Sequence, residues 1–137
     1  MKVREIMSGR VHVVDANASL RDAAQIMQRE DIGSVPVSEN AKLIGMVTDR
    51  DIVVRAVAQG KQDKTTVREI MSSGVKYCFD DDSVDDVARN MSELGIRRLP
   101  VVNRDKQLVG FVSLANITSA GQRRATDQLL DGTARPH

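Results

Sequence analysis

The chain has 137 residues, 20 of them Lys or Arg and 19 Asp or Glu, for a formal charge of +1, and its only aromatic residues are Tyr77, Phe79 and Phe111. That length suits one ordinary domain. A near-neutral balance leaves no surplus to hold a polyanion by counterion release, and so few rings offer little for bases to stack on, which argues against a nucleic-acid partner.

The single cysteine, Cys78, cannot form an internal disulfide or a multi-cysteine zinc site, so it reads as a small apolar core residue in a reducing compartment. The start, Met1-Lys2-Val3-Arg4-Glu5, lacks the apolar stretch of a signal peptide, and no run approaches the roughly 18 apolar residues that cross a bilayer. The expectation is a soluble cytoplasmic protein with no membrane partner.

In chain order the first feature is Val3-Arg4-Glu5-Ile6-Met7-Ser8, which recurs letter for letter as Val67-Arg68-Glu69-Ile70-Met71-Ser72, 64 positions later. At the same shift Ser19 meets Ser83, Met27 meets Met91, Ile32 meets Ile96 and Pro36 meets Pro100. After one extra residue in the second copy, Leu43-Ile44-Gly45-Met46-Val47-Thr48 meets Leu108-Val109-Gly110-Phe111-Val112-Ser113. The chain is therefore two copies of one unit.

Within the first copy, Ser19-Leu20-Arg21-Asp22 has the form of a helix start, and Leu20, Ala23, Ala24 and Met27 keep the spacing of one buried stripe. Ser83-Val84-Asp85-Asp86 and the stripe Val84, Val87, Ala88 and Met91 repeat it. The helices are predicted to end near Asp31 and Gly95. Ile32 to Val37 and Ile96 to Val102 read as strands, each with a proline that belongs at a sheet edge or strand end. Polar turns follow at 38–42 and 103–107, then second apolar strands at 43–47 and 108–112, so each pair reads as a hairpin. Thr48 and Ser113 open a second helix, clearest in the first copy as Ile52, Val53, Ala56 and Val57, with Gly60 as its stop.

Each copy thus predicts strand, helix, strand, strand, helix, a mixed α/β (α+β) class. A unit of about 60 residues hides only about 60% of its unfolded surface, so the copies should pack on one another, sheet to sheet. The expected divisions are 1–60 for the first copy with its leading segment, 61–66 for a linker, 67–120 for the second copy and 121–137 for a polar tail, helical around Gln122 to Leu130.

Catalytic groupings are scarce. His12 sits in an apolar alternation and His137 is the last residue, so neither has a metal or nucleophile partner in the sequence. The acid run Asp80-Asp81-Asp82-Ser83-Val84-Asp85-Asp86 lacks the spaced ligands and glycine of a calcium loop and reads as a turn with negative charge at a helix start. Neither a catalytic residue nor a metal site is expected.

Two features carry more chemistry. In Gly45-Met46-Val47-Thr48-Asp49-Arg50-Asp51 a strand runs into a helix start, with Thr48 and Asp51 three residues apart. A carboxylate there can accept from both hydroxyls of a ribose. The same T-x-x-D is also a capping pair, and the sequence leaves both readings open. In Ile96-Arg97-Arg98-Leu99-Pro100, two guanidinium groups precede a strand proline; they suit phosphate oxygens or merely keep a sheet edge soluble. The first copy has Gly33-Ser34 at this place, so the copies are chemically unequal.

The duplicated V-R-E-I-M-S segment, the strand pairs around Pro36 and Pro100 and the two turns of the form h-G-h-h-T/S-x-x-D/N resemble a tandem pair of CBS domains, the Bateman module, over residues 1 to about 120. The resemblance implies two β-α-β-β-α units packed through their sheets in pseudo-two-fold symmetry, with two clefts for adenosine-containing ligands such as AMP, ADP, ATP, NAD or S-adenosylmethionine, and often a homodimer. Carried onto this sequence, it makes Asp51 the ribose carboxylate and Thr48 its neighbour, has Met46 and Val47 face the base, and brings Arg97 and Arg98 to the phosphates of that ligand. Ile6, Met7 and Ser8, with Lys76 and Tyr77, are its expected walls. The second cleft, Ser113 and Asn116 with Gly33 and Ser34, has an uncharged acceptor and no arginine, so it is expected to hold an uncharged nucleoside or nothing. What the resemblance implies for function is a non-enzymatic, stand-alone sensor of energy state, with no catalytic cofactor, that signals to an unidentified partner protein. The competing reading is a constitutive interaction module with empty clefts.

Overall fold

The computed structural model describes residues 1–121; the expected tail helix around Gln122 to Leu130 lies outside the described residues. The elements are β1 (Val14–Asp15), α1 (Leu20–Glu30), β2 (Ser34–Glu39), β3 (Lys42–Thr48), α2 (Asp49–Asp51), β4 (Cys78–Phe79), α3 (Val84–Leu94), β5 (Arg98–Val102), β6 (Leu108–Ser113) and α4 (Leu114–Ser119). They form two three-stranded sheets, β1-β2-β3 and β4-β5-β6, the first pair of each parallel and the second antiparallel. This is the mixed α+β class expected from the repeat.

Two compact units result among the described residues, His12–Val75 and Met1–Val11 with residues 76–121. The repeat boundaries placed each leading segment with the strands that follow it, whereas in the fold each packs with the other copy's strands. Ser72 exchanges backbone bonds of 2.8 and 2.9 Å with Met46, and Ser8 exchanges bonds of 2.8 and 2.9 Å with Phe111. The reason is the outer edge of β3 and of β6, where one residue's N–H and C=O point away from the hairpin and need partners. Val67 and Ile70 enter the core of the His12–Val75 unit beside Val35, Val37 and Val47, while Val3 enters the other core beside Leu99, Val101 and Val112.

The local signals behave as their chemistry requires. Ser19 Oγ accepts the Asp22 N–H at 3.1 Å and Ser83 Oγ accepts the Asp86 N–H at 3.1 Å. α1 and α3 stop at Asp31 and Gly95, both left-handed. The first hairpin turns through Asn40 and Ala41, with φ of 53° and 66°, the two-residue geometry that matches strand twist.

Three expectations change. Pro36 and Pro100 lie not at an edge or strand end but inside the central strand of each sheet, opposite Met46 and Phe111. They are tolerated because β1 covers only Val37 and Ser38, and β4 only Val101 and Val102, so the side of the strand lacking a proline N–H meets no neighbour. Ala24 is exposed although its counterpart Ala88 is buried. Beyond α2 the chain passes through a π turn at Ile52–Ala56, which lines up Ile52 and Ala56 inward and leaves Val53 and Val57 58% and 67% exposed.

Candidate functional site

In the His12–Val75 unit, β3 delivers Thr48 to the start of α2. Thr48 Oγ1 accepts the Asp51 N–H at 3.0 Å, and Asp51 Oδ2 accepts the Thr48 N–H at 3.0 Å. Thr48 and Asp51 are thus a reciprocal capping pair, and this fixes the carboxylate, only 14% exposed, at the end of the hairpin. Gly33 and Ser34 adjoin the same place: Ser34 is opposite Thr48 in the register, and the Gly33 carbonyl accepts the Asp49 N–H at 2.9 Å. A Cβ on Gly33 would stand 3.1 Å from Asp49 Oδ2. Met46 is half-buried and bonded to Ser72, while the Val47 side chain is wholly inside the core.

The equivalent corner of the other unit is built alike and charged differently. Ser113 Oγ accepts the Asn116 N–H at 3.2 Å, and Asn116 Oδ1 accepts from the Ser113 N–H and hydroxyl, each at 2.9 Å. Arg98 is opposite Ser113 in the register and lays its guanidinium over the Phe111 ring, 4.2 Å from the centroid. Arg97 is exposed and borders a cavity of about 480 Å³ with Ser113, Leu114, Thr118 and Ser119; its carbonyl accepts the Leu114 N–H at 3.2 Å, and its guanidinium has no hydrogen-bond or ion-pair partner among the described residues. Met7 and Ser8 dock on Gly110 and Phe111, and Tyr77 makes an edge contact with Phe79 and carries Lys106 over its face. Lys76 is exposed.

The structure therefore gathers Thr48, Asp51, Met46, Val47, Gly33 and Ser34 in one unit, and Arg97, Arg98, Ser113, Asn116, Met7, Ser8 and Tyr77 in the other. Within a unit the hairpin decides the neighbours: the residue two before the strand proline faces its own copy's Thr48 or Ser113. One residue that sequence reasoning missed is Arg55. Its Nε lies 3.7 Å from Asp51 Oδ1, and its Nη1 donates to the Ile70 and Met71 carbonyls at 3.3 and 3.5 Å. The available signal was the i, i+4 spacing of Asp51 and Arg55 on a helical segment.

Cys78, His12 and the acid run lie apart from these two corners. Cys78 is buried, and burial, aided by the Asp82 and Asp80 charges, pushes its thiol up to about 12. His12 Nε2 lies 3.3 Å from Glu30 Oε2. In the acid run, Asp82 accepts the Phe79 N–H at 2.9 Å and Asp81 takes both Arg104 nitrogens at 3.0 and 2.7 Å. The side-chain bond from exposed Arg104 holds the Asp81 carboxyl below its ordinary value. Among the described residues no three His, Cys, Asp or Glu side chains are grouped to hold a metal ion, and no helix is long and apolar enough to cross a membrane.

Comparison with known proteins decides the family. Residues 3–57 and 67–123 each match the CBS domain. The chain belongs to the CBS-domain family. Hypoxic response protein 1 of Mycobacterium tuberculosis is 33% identical over 97% of this chain and 94% of its own length. A crystal structure of that protein, described with two coordinated zinc ions, superposes with a TM-score of 0.74 over 87% of this chain and 98% of that one. CBSX2 of Arabidopsis thaliana, solved in complex with AMP, gives a TM-score of 0.73 at 26% identity over 89% and 96% of the two chains. The CBS pair of MJ0100, solved with 5′-methylthioadenosine and S-adenosylmethionine, gives 0.69 at 32% identity over 90% and 98%.

Proposed function

We propose that this chain is a non-enzymatic regulatory CBS pair that binds an adenosine-containing ligand, with AMP, ADP, ATP or NAD as its candidates, and passes its occupancy to a partner protein. The observation that carries this reading is that two CBS pairs similar to it over nearly their whole length were solved with adenosine compounds, AMP in one and methylthioadenosine with S-adenosylmethionine in the other. The chain supplies matching chemistry: Thr48 fixes the Asp51 carboxylate at a hairpin end, as an acceptor for ribose hydroxyls. Arg97 and Arg98 are exposed forks suited to phosphate oxygens. A signalling role requires that the ligand bind two conformations unequally.

A constitutive interaction module is the second reading, favoured by the completeness of the Thr48–Asp51 cap without any ligand. A thermal-shift panel of AMP, ADP, ATP, NAD and S-adenosylmethionine separates the two. A bound ligand at 100 times its dissociation constant adds about 2.7 kcal/mol of stability. Stabilisation that disappears in Asp51→Ala supports the sensor. No shift with any compound sinks it and leaves the interaction module. Arg97→Ala with Arg98→Ala, run on the same panel, assigns the phosphate partners, and light scattering reads the proposed homodimer.

A further inference from the structure

We infer that Arg55 is a specificity-determining residue of the Asp51 site, and that it makes this site select a ligand bearing a phosphate over the corresponding neutral nucleoside. The inference rests on the adenosine-ligand reading above and deepens it. It comes from comparing one place in the two copies. In the unit holding Asn116, Glu5, Ile6, Asn116, Ser119 and Ala120 line an open cavity of about 230 Å³. By the repeat, their counterparts are Glu69, Ile70, Asp51, Val54 and Arg55. Where the one copy has the methyl of Ala120, the other has a guanidinium whose Nη1 reaches the Ile70 and Met71 carbonyls and whose Nε faces Asp51 Oδ1.

Both oxygens of Asp51 are thereby engaged, Oδ2 by the Thr48 N–H and Oδ1 by the Arg55 charge. A ribose hydroxyl that takes Oδ1 competes with the guanidinium for that oxygen and weakens its attraction to Asp51. A neutral nucleoside offers the guanidinium no anionic partner in exchange. A nucleotide offers it phosphate oxygens, and a guanidinium fork binds these as well as it binds carboxylate. Arg55 is 53% exposed on its side chain and is not among the buried core residues, so solvent gives it room to move. The copy with Asn116 and Ala120 has neither the acceptor charge nor the internal cation, so the single change at Arg55 is what isolates the cation's effect.

The test is calorimetric titration of the full chain with AMP and with adenosine, for the native protein, Arg55→Ala, Arg55→Gln and Arg55→Lys. The expected result is that the native protein prefers AMP by at least about tenfold, the scale of one hydrogen-bonded charge pair. Arg55→Ala and Arg55→Gln should bring the two affinities within about threefold, with adenosine bound more tightly than by the native protein, whereas Arg55→Lys keeps part of the preference. Gln keeps the stem and a polar end at the place of Nε, facing Asp51, without the charge or the bonds to the Ile70 and Met71 carbonyls, and Lys restores the charge without the fork, so loss of the preference in Ala and Gln with part of it kept in Lys assigns the effect to charge. An unchanged AMP-to-adenosine ratio in both neutral variants overturns this inference while leaving the ligand reading standing. Failure of the native protein to bind either compound overturns both.

Discussion

Replacing Gly45 by Ala tests the docking of the leading segment on β3. Gly45 lies opposite Val37 in the sheet, and a Cβ placed on it stands 2.6 Å from the Ser72 carbonyl oxygen and 2.9 Å from Met71 Sδ. The Met71 thioether can swing aside, but the Ser72 oxygen is backbone, held by the 2.9 Å bond that it accepts from Met46. The Val67–Ser72 segment must therefore retreat. Overpacking of this kind costs about 1–3 kcal/mol, and the two Met46–Ser72 bonds are worth about 0.5–1.5 kcal/mol each. Against this, Ala in a strand regains about 0.5–1 kcal/mol of backbone entropy over Gly. The net expectation is a loss of about 3 kcal/mol, which at an m-value near 2 kcal/mol/M lowers the urea midpoint by about 1.5 M. Circular dichroism gives the midpoint, and hydrogen exchange gives the companion readout, lost protection at the Met46 and Ser72 amides. Gly74→Ala is the control, because nothing lies within 4 Å of its added Cβ. A Gly45→Ala midpoint within about 0.3 M of the native value, with both amides still protected, refutes the reasoning.

Two further expectations follow from the same structure. Because Arg104 lowers the Asp81 carboxyl in the folded chain, the pair contributes stability above the ordinary carboxyl range, and this is lost as pH falls through the depressed folded value. The difference in urea midpoint between the native protein and Arg104→Ala should be small at neutral pH, shrink in about 1 M salt and disappear on acidification; a difference that grows on acidification contradicts it. Cys78, with its thiol pushed up to about 12, should resist a thiol reagent at about pH 8 in the native state and react in urea, and native-state labelling at the unfolded rate would show the site is open.

The parts of the fold legible in the sequence were those fixed by neighbours along the chain. Ser19 and Ser83 cap because their hydroxyls find an N–H three residues on, and Gly95 ends α3 because a left-handed residue closes a helix cheaply. What escaped needed a partner distant in sequence. Pro36 and Pro100 read as edge residues because nothing local shows that β1 and β4 are two residues long and stop short of them. The identical segments 3–8 and 67–72 read as the beginnings of their own copies because a repeat gives a register but not the strand edge on which each segment settles. Ala24 and Ala88 occupy one position of the stripe and differ in burial, a difference no periodicity can encode. At the site, Thr48 with Asp51 was visible as spacing, whereas the adjacency of Arg98 to Ser113 required the hairpin register and Arg55 required its bonds to Ile70 and Met71.

The two copies also sort their residues by role. Where both keep the same letters, the backbone explains why: V-R-E-I-M-S makes the same exchange of bonds twice, and Gly45 and Gly110 admit a carbonyl that would stand 2.6 and 2.5 Å from any Cβ. Where the copies diverge, at Asp51 against Asn116, Arg55 against Ala120, and Gly33-Ser34 against Arg97-Arg98, the capping geometry survives the change, since Asn116 accepts the Ser113 N–H at 2.9 Å much as Asp51 accepts that of Thr48 at 3.0 Å. The divergent side chains thus leave the shared capping geometry in place, and what they alter most is charge. Substitutions at Arg55, Arg97 and Arg98, whose side chains are largely exposed, should therefore change ligand preference with a smaller change in the unfolding midpoint than those at Gly45 and Gly110, which meet a backbone carbonyl. A loss of stability at the arginines as large as that at Gly45 would refute this division of labour.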